Sequence, residues 1–218
     1  MFLLLAVPAW AAPFGLQVGD VRLGFEVPAG FTDSLPTGSP RLVDLAESLT
    51  PATNRILVFA LSDGDMRRFN SGDAPELKQY LLVVTPKSLE QERMPAAAFE
   101  RYVGEGRRAM GTPTEGEFNK VLDARPPGEL VLLAELLRDP DAMAVMRGLR
   151  LPPAESGGLF SAAKPSQYVL SSTTVILLRG KPLTLNVTTG YERKSDVEWL
   201  RATTLRWIED LRRLNVSR

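Results

Sequence analysis

Apolar and polar residues alternate over strand-sized segments in the first part of the chain. Residues Val21–Val27 follow this two-residue period, and Pro28–Gly30 then supplies a turn. Two further strands are predicted over Arg55–Leu61 and Leu77–Thr85. The second of these is apolar through its centre, which is typical of a strand buried on both faces. The pattern therefore predicts three strands, with the third in the middle of a sheet.

Capping residues and a helical apolar period predict helices around these strands. A serine and a proline supply the N-cap and first turn of a helix over Pro40–Leu49. A longer helix is predicted over Pro95–Met110, where four apolar residues share one face. Its two interior glycines, Gly104 and Gly106, each cost about 1 kcal/mol relative to alanine. This helix therefore depends on packing for its stability.

The segment 115–150 is predicted to be a run of short helices. Thr114 and Glu117 offer a capping box for a helix that ends at Asp123. Two more helices are predicted over Glu129–Arg138 and Pro140–Leu149. We interpret the run as a helical insertion within the domain, and the alternative is that its leucines form a protein-docking surface.

The last fifty residues carry the clearest pattern. Two strands, Tyr168–Leu178 and Leu183–Tyr191, are joined by a short turn and predict a hairpin. Ser195 and Glu198 then form a capping box for a C-terminal helix. Its apolar stripe, which should pack across the sheet, consists of Val197, Leu200, Thr204, Trp207, Ile208, Leu211 and Leu214.

The order of these elements indicates the fold class. Strands joined by hairpins, rather than by helical crossovers, favour an antiparallel sheet. We therefore predict an α+β fold with a central antiparallel sheet of about five to six strands packed by helices. Because no repeat or low-complexity tract divides the chain, residues 13–218 are predicted to form a single domain.

The first residues form a short apolar segment. Residues Met1–Pro8 are apolar, and the small-x-small sequence Ala9-Trp10-Ala11 follows them. This order is typical of a secretory signal peptide cleaved near Ala11 or Ala12, and the segment is shorter than the about 20 residues that span a bilayer. We expect residues 1–12 to be removed on export to the periplasm or the medium. The mature protein should then be soluble, with no stable membrane anchor.

Composition excludes several kinds of chemistry. The 218 residues contain no histidine and no cysteine, which excludes a Ser-His-Asp triad, a Cys-His pair, a zinc finger and a disulfide. Carboxylate, Ser/Lys or Tyr chemistry remains available, and we expect no cofactor. The 26 basic and 26 acidic residues give zero formal charge. General electrostatic attraction to nucleic acid is therefore not expected.

Three segments carry a family resemblance. They are the strand end at Val27–Phe31, the mid-chain hairpin, and the final hairpin leading into Ser195–Trp199 and Trp207. Together they resemble the PsbP-like and DcrB-like exported proteins, in architecture rather than by a diagnostic motif. The resemblance implies an antiparallel sheet between helices and a binding or accessory role. This chain departs from the DcrB-like lipoproteins because it has no cysteine to acylate.

Three short motifs match known sites but stand in the wrong context. Ser161 and Lys164 match the Ser-x-x-Lys pattern of penicillin-binding enzymes, yet the companion motifs are missing and Pro165 would end a helix at once. The glycines of 104–111 resemble a dinucleotide loop, but they follow a helical pattern rather than a strand. We interpret the glycosylation sequons at Asn186 and Asn215 as incidental.

Acidic residues offer two further candidate sites. Asp63, Asp65 and Asp73 crowd a predicted hairpin loop, and carboxylates suit calcium, but their spacing is not that of an EF-hand. We interpret this segment as a solvated loop. Carboxylate pairs for glycoside hydrolysis must lie about 5–10 Å apart across a cleft. Such pairs could be drawn from Glu92 with Glu100, or Glu115 with Glu117.

Trp199 is the residue singled out for a partner surface. It lies off the centre of the apolar stripe on the C-terminal helix, whereas Trp207 lies on the stripe and is expected in the core. The leading hypothesis is an exported, non-enzymatic accessory or binding protein of the bacterial cell envelope, with a protein or small ligand as partner. The alternative is a carboxylate-dependent envelope hydrolase.

Overall fold

The structure, a computed structural model, describes residues 12–152 and 167–216. Within these residues a seven-stranded antiparallel sheet is accompanied by a two-stranded sheet and five α-helices. The predicted α+β class is confirmed, and the main sheet is larger than the five to six strands expected. In the part of the chain that the structure describes, every helix is too short or too polar to span a lipid bilayer.

The elements follow one another along the chain with two short 3-10 turns, Leu35–Thr37 and Lys87–Leu89, among them. The strands are β1 (Phe14–Val18), β2 (Val21–Phe25), β3 (Phe31–Asp33), β4 (Asn54–Ser62), β5 (Gln79–Pro86), β6 (Val131–Asp139), β7 (Ala142–Arg150), β8 (Tyr168–Leu178) and β9 (Lys181–Tyr191). The helices are α1 (Pro40–Ser48), α2 (Asp63–Asn70), α3 (Ala96–Met110), α4 (Phe118–Asp123) and α5 (Lys194–Asn215). Strands β1 and β2 form the small sheet, and the main sheet has the order β3-β4-β5-β9-β8-β7-β6.

The main sheet buries a separate apolar core on each face. The larger core lies beneath α5 and the β1–β2 hairpin and includes Phe25, Leu185 and Trp207. The smaller core lies beneath α1 and α2, where it includes Phe59 and Leu82 from strands β4 and β5. Strands β4 and β5 therefore bury both faces, which explains their continuous apolar sequences.

Helix α5 closes the larger core, as predicted. The buried Trp207 donates its indole N–H to the backbone oxygen of Glu26 over 2.7 Å. At the helix end, the Asn215 amide donates to the carbonyl oxygen of Gly24 over 2.8 Å, and its Oδ1 accepts from the Gly24 N–H over 2.9 Å. A Cβ at Gly24 would stand 3.2 Å from the Cβ of Leu214, so glycine permits this close approach. Helix α5 thus holds the β1–β2 hairpin in place.

A buried lysine holds the tip of the β1–β2 hairpin. The Lys181 side chain is 0% exposed, and its Nζ lies 2.9 Å from Asp20 Oδ1. The same Nζ donates to the backbone oxygens of Glu90 and Glu92 over 2.9 and 2.7 Å. Hydrogen bonds from Lys181 and then Arg93 hold the pKa of Asp20 at about 2, below its usual 3.8. The hairpin is therefore anchored at its tip as well as along β2.

The prediction of two helices over Glu129–Arg138 and Pro140–Leu149 is wrong, because these segments form strands β6 and β7. Strand β6 carries register shifts after Leu132 and after Glu135, and these bulges interrupt the two-residue period that marks a strand. Strand β7 is buried continuously over Ala142–Met146. It shows no alternation, and its alanines and methionines favour helices when isolated.

Two further interpretations change with the secondary structure. The run 115–150 is not a helical insertion, because after the short helix α4 it supplies two strands of the main sheet. The segment interpreted as a solvated loop contains helix α2, which begins at Asp63. Ser62 caps this helix by accepting the Asp65 N–H over 3.1 Å. Its acidic first turn and basic last turn suit the helix dipole. This charge order indicates a helix, but Gly64 within the segment favoured the interpretation as a loop.

A buried pair of hydroxyls joins α5 to strand β8. The Oγ atoms of Thr204 and Ser172 lie 2.6 Å apart, and Thr204 donates to the backbone oxygen of Leu200 over 2.7 Å. Because the Thr204 hydroxyl donates its proton to the Leu200 carbonyl, the Ser172 hydroxyl is the donor in its hydrogen bond with Thr204.

Replacing Thr204 by valine should leave the Ser172 hydroxyl buried without an acceptor. We expect Thr204→Val to lower the free energy of unfolding by about 1–3 kcal/mol. Adding Ser172→Ala should recover part of that loss, because no unpaired donor remains. Urea denaturation of the wild type, both single variants and the double variant measures the coupling. Strict additivity of the two losses would contradict the coupling.

Candidate ligand groove

Helix α3 lies over the face of strands β7 and β8 that points away from α5. Along β8, alternate residues from Leu170 to Leu178 are buried beneath α5, while the residues between them, such as Thr173 and Val175, are half-buried on the opposite face. A groove of about 310 Å³ lies between α3 and this face. Ligand pockets commonly measure about 300–1,000 Å³, so the groove has the volume for a small molecule.

The groove has an apolar floor and an apolar roof. Strand β7 supplies Met143 and Val145 to the floor, both 3% exposed, and β8 supplies Val175. The helix supplies the roof at helical spacing. On its predicted apolar face Phe99 is buried and Val103 and Met110 are half-buried, whereas Tyr102 is 42% exposed. The residues of α3 that line the groove are Tyr102, Val103, Glu105, Gly106 and Met110, of which Tyr102, Glu105 and Gly106 are exposed.

Arg147 of β7 is the basic residue that lines the groove. Its Nη2 donates to Thr173 Oγ1 over 2.6 Å, and the Thr173 hydroxyl donates to Asn186 Oδ1 over 3.0 Å. The Nε of Arg147 is buried and has no hydrogen-bond partner. Burial lowers the pKa of Arg147, and no carboxylate opposes that shift. Buried donors are rarely left unpaired, so this N–H is unusual for an arginine with a structural role alone.

Helix α3 is held near both ends rather than along its length. Of the fifteen residues of this helix, one is fully buried, namely Phe99 in the first turn. Near the other end, Arg107 Nε lies 3.3 Å from Glu135 Oε2 on the edge strand β6. Two glycines between these points weaken the helix itself. The roof of the groove is therefore lightly attached, while the floor belongs to the sheet.

A larger hollow of about 580 Å³ lies over helix α2, but its charged groups neutralise one another. Glu76 lies 3.2 Å from Arg68 and 3.6 Å from Lys78. Asp65 accepts from the Ser62 hydroxyl and from the Glu76 N–H, over 3.2 and 2.7 Å. These carboxylates hold α2 and the following segment together, so the hollow offers less to a ligand than the groove does.

Trp199 lies on the opposite face of the sheet from the groove. Its ring centroid is 6.0 Å from that of Phe31, and the half-buried side chain packs against the larger core. The other tryptophan of α5, Trp207, is 1% exposed, as expected for a core residue. The partner surface at Trp199 stays a prediction, and that residue contributes nothing to the groove.

The acidic candidates are dispersed. Within residues 12–152 and 167–216, no group of three or more acidic residues could hold a metal ion. Burial raises the pKa of the Asp33 carboxyl, but Asp33 accepts the backbone N–H groups of Phe59 and Leu35 over 3.1 and 3.3 Å and lines neither hollow. The carboxylate pairs considered for hydrolysis are all exposed, namely Glu92, Glu100, Glu115 and Glu117.

The other sequence motifs have structural roles or lie elsewhere. Asn186, in strand β9, accepts the Thr173 hydroxyl, and Asn215 binds the backbone of Gly24. Both sequon asparagines therefore stabilise the fold. The glycine-rich segment 104–111 lies mainly within α3, and the Ser161–Lys164 motif lies outside the described residues.

Arg147 was missed because its segment was predicted to be a helix. Placed on a strand, it follows Met143 and Val145 on one face and precedes Leu149. A lone charge in an apolar strand face is the signal that could have identified it, since charged side chains are almost never buried without a partner.

Comparisons with known proteins give a distant structural neighbour. No protein-family model matches the chain, and no curated protein matches it. Among solved structures, the chain is similar to that of a mutant of the protein Mog1, with 13% sequence identity and a TM-score of 0.37. The match covers 94% of this chain and 93% of that chain. The interpretation of the groove therefore rests on its own geometry.

Replacing Arg147 by methionine should stabilise the protein. The substitution keeps a long flexible side chain and removes a half-buried charge whose Nε is unpaired. We expect Arg147→Met to raise the free energy of unfolding by about 0.5–2 kcal/mol, measured by urea denaturation. Arg138→Met, at an exposed arginine paired with Glu135, is the control and should change stability by about 0.5 kcal/mol or less. Loss of stability on Arg147→Met would mean that its bond to Thr173 outweighs the unpaired Nε.

Proposed function

We propose that this protein is an exported, non-enzymatic binding protein of the bacterial cell envelope, in which the α3 groove holds a small apolar ligand. The observation that carries the proposal is the groove of about 310 Å³ with its apolar floor and roof. Burial of apolar ligand surface there would supply the affinity. The lightly attached helix α3 gives the ligand a way in that leaves the sheet undisturbed.

The lining of the groove favours binding over hydrolysis. A carboxylate-dependent hydrolase needs two carboxyl groups facing one another across the substrate. The groove includes a single carboxylate, the exposed Glu105. In the hollow over α2, Asp65 and Glu76 are bound to groups of the protein itself. Neither Glu105 in the groove nor Asp65 and Glu76 in the hollow therefore favours the hydrolase alternative.

The sequence of residues 1–12 supports the export part of the proposal. An apolar segment followed by a small-x-small sequence, here Ala9-Trp10-Ala11, is the pattern that signal peptidases recognise. The resemblance to the PsbP-like and DcrB-like proteins supports an accessory role in the envelope. Its partner would be the ligand of the groove or a protein that responds to that ligand.

Filling the groove should abolish ligand binding without loss of fold. A Cβ at Gly106 would meet nothing within 4 Å, and Gly106 lines the groove. We expect Gly106→Leu to reduce binding of Nile red, a neutral apolar dye, at least tenfold, because the leucine occupies the ligand volume. Dye fluorescence titration measures the affinity.

Gly104→Leu is the matched control. Gly104 lies in the same helix, its Cβ position is equally open, and it does not line the groove. Both variants gain helix propensity relative to glycine, so both should unfold at or above the wild-type temperature. Equal dye affinity in the two variants would contradict the proposed ligand site.

Export should depend on the apolar segment. Residues 1–14 fused to alkaline phosphatase, which is active only outside the cytoplasm, should give phosphatase activity in a bacterial host. Substituting Leu3, Leu4 and Leu5 by arginine should abolish that activity, because a charged segment no longer forms the apolar core of a signal peptide. Equal activity from both fusions, or none from the first, would contradict export.

A further inference from the structure

We propose that the groove selects a monoanionic amphipathic ligand, an apolar chain or ring that carries one carboxylate, with Arg147 binding the carboxylate. This inference rests on the proposed function and specifies its ligand. It follows from an apolar groove of about 310 Å³ whose lining includes one guanidinium with a buried, unpaired Nε.

The position of the Arg147 guanidinium is set by the sheet. In the register of β7 and β8, Arg147 lies opposite Ser171, and Thr173 is its diagonal neighbour on the same face. Nη2 reaches Thr173 Oγ1, and Thr173 in turn is paired with Asn186 of β9 by both register and hydrogen bond. The guanidinium is therefore held in one orientation before a ligand arrives, which lowers the entropy lost on binding.

The remaining donors suit a carboxylate. Of the five N–H groups of the guanidinium, one on Nη2 is given to Thr173, and the buried Nε–H has no partner. A carboxylate can accept two such hydrogen bonds from one guanidinium, and charge-assisted bonds of this kind are stronger than neutral ones. Because the site is half-buried, water competes less for these groups than it would at the surface.

The charge of the lining limits the ligand to one negative charge. Arg147 is the basic residue among those that line the groove, and Glu105 stands among them as an exposed carboxylate. A phosphate monoester carries nearly two negative charges at neutral pH, so one guanidinium would leave it undercompensated. A carboxylate is neutralised by Arg147 alone.

The rest of the lining suits the apolar part of the ligand. Met143, Val145 and Val175 form the floor, and Tyr102 and Met110 contribute from α3. Methionine side chains adapt to different apolar shapes, so straight chains and rings could both fit. The polar group at Arg147 would then fix the orientation of the bound molecule.

The test compares octanoate with octan-1-ol, which differ in the carboxylate and share the apolar chain. At pH 7.5, displacement of Nile red should show at least tenfold tighter binding of octanoate. In Arg147→Met the two ligands should bind within threefold of one another. Octyl phosphate should bind more weakly than octanoate. Glu105→Gln should tighten octanoate binding, because it removes a repelling charge.

A spectroscopic readout separates direct contact from a structural effect. The Nε–H signal of Arg147 in a ¹H–¹⁵N spectrum, assigned from its loss in Arg147→Lys, should move on addition of octanoate and stay in place with octan-1-ol. Unchanged octanoate selectivity in Arg147→Met, or tighter binding of octyl phosphate, would overturn the monocarboxylate assignment.

The outcomes distinguish this inference from the proposed function. If octanoate and octan-1-ol bind equally and Gly106→Leu weakens both, the groove binds ligands but the carboxylate preference is refuted. If Gly106→Leu and Gly104→Leu bind both ligands as the wild type does, the groove itself is refuted as the site.

Discussion

The contact between the end of α5 and strand β2 is the constraint on which closure of the larger core depends. Strands β1 and β2 pair with each other and not with the main sheet. The Asn215 side chain supplies both hydrogen bonds at Gly24, and the Trp207 indole binds the Glu26 carbonyl. Since buried backbone groups without partners are costly, these side chains allow the hairpin to close the larger core beside α5.

Because that face is closed, the opposite face of β7 and β8 can remain partly open. More apolar side chains are fully buried beneath α5 than beneath α3. An unpaired Nε at Arg147 lowers stability by an amount that a well-packed core on the other side can offset. Such a local cost, retained in a groove, is typical of sites that bind another molecule.

The sequence predicted those elements whose local signals agree with one another. In the final hairpin and α5, the turn and the apolar stripe indicate the same structure, and the structure confirms both. The capping box predicted at Ser195 and Glu198 is wrong in its residues, because α5 begins at Lys194 and its capping box is formed by Arg193 and Asp196. Strands β6 and β7 were mistaken for helices because bulges and burial on both faces remove the alternation on which such a prediction depends. The error also concealed Arg147. The sequence predicted helix α3 and its apolar face but no groove, because a groove needs two elements and its floor lay in the misassigned segment.

The missing histidines bear on how a groove of this kind could release its ligand. No side chain here has an ordinary pKa near neutrality, and an arginine stays protonated across the whole neutral range. A carboxylate ligand is likewise ionised there, so the charge pair at Arg147 would be insensitive to moderate changes of pH. Release would then depend on movement of the roof. Helix α3 is suited to that movement, because it carries two glycines and is attached to the rest near its ends.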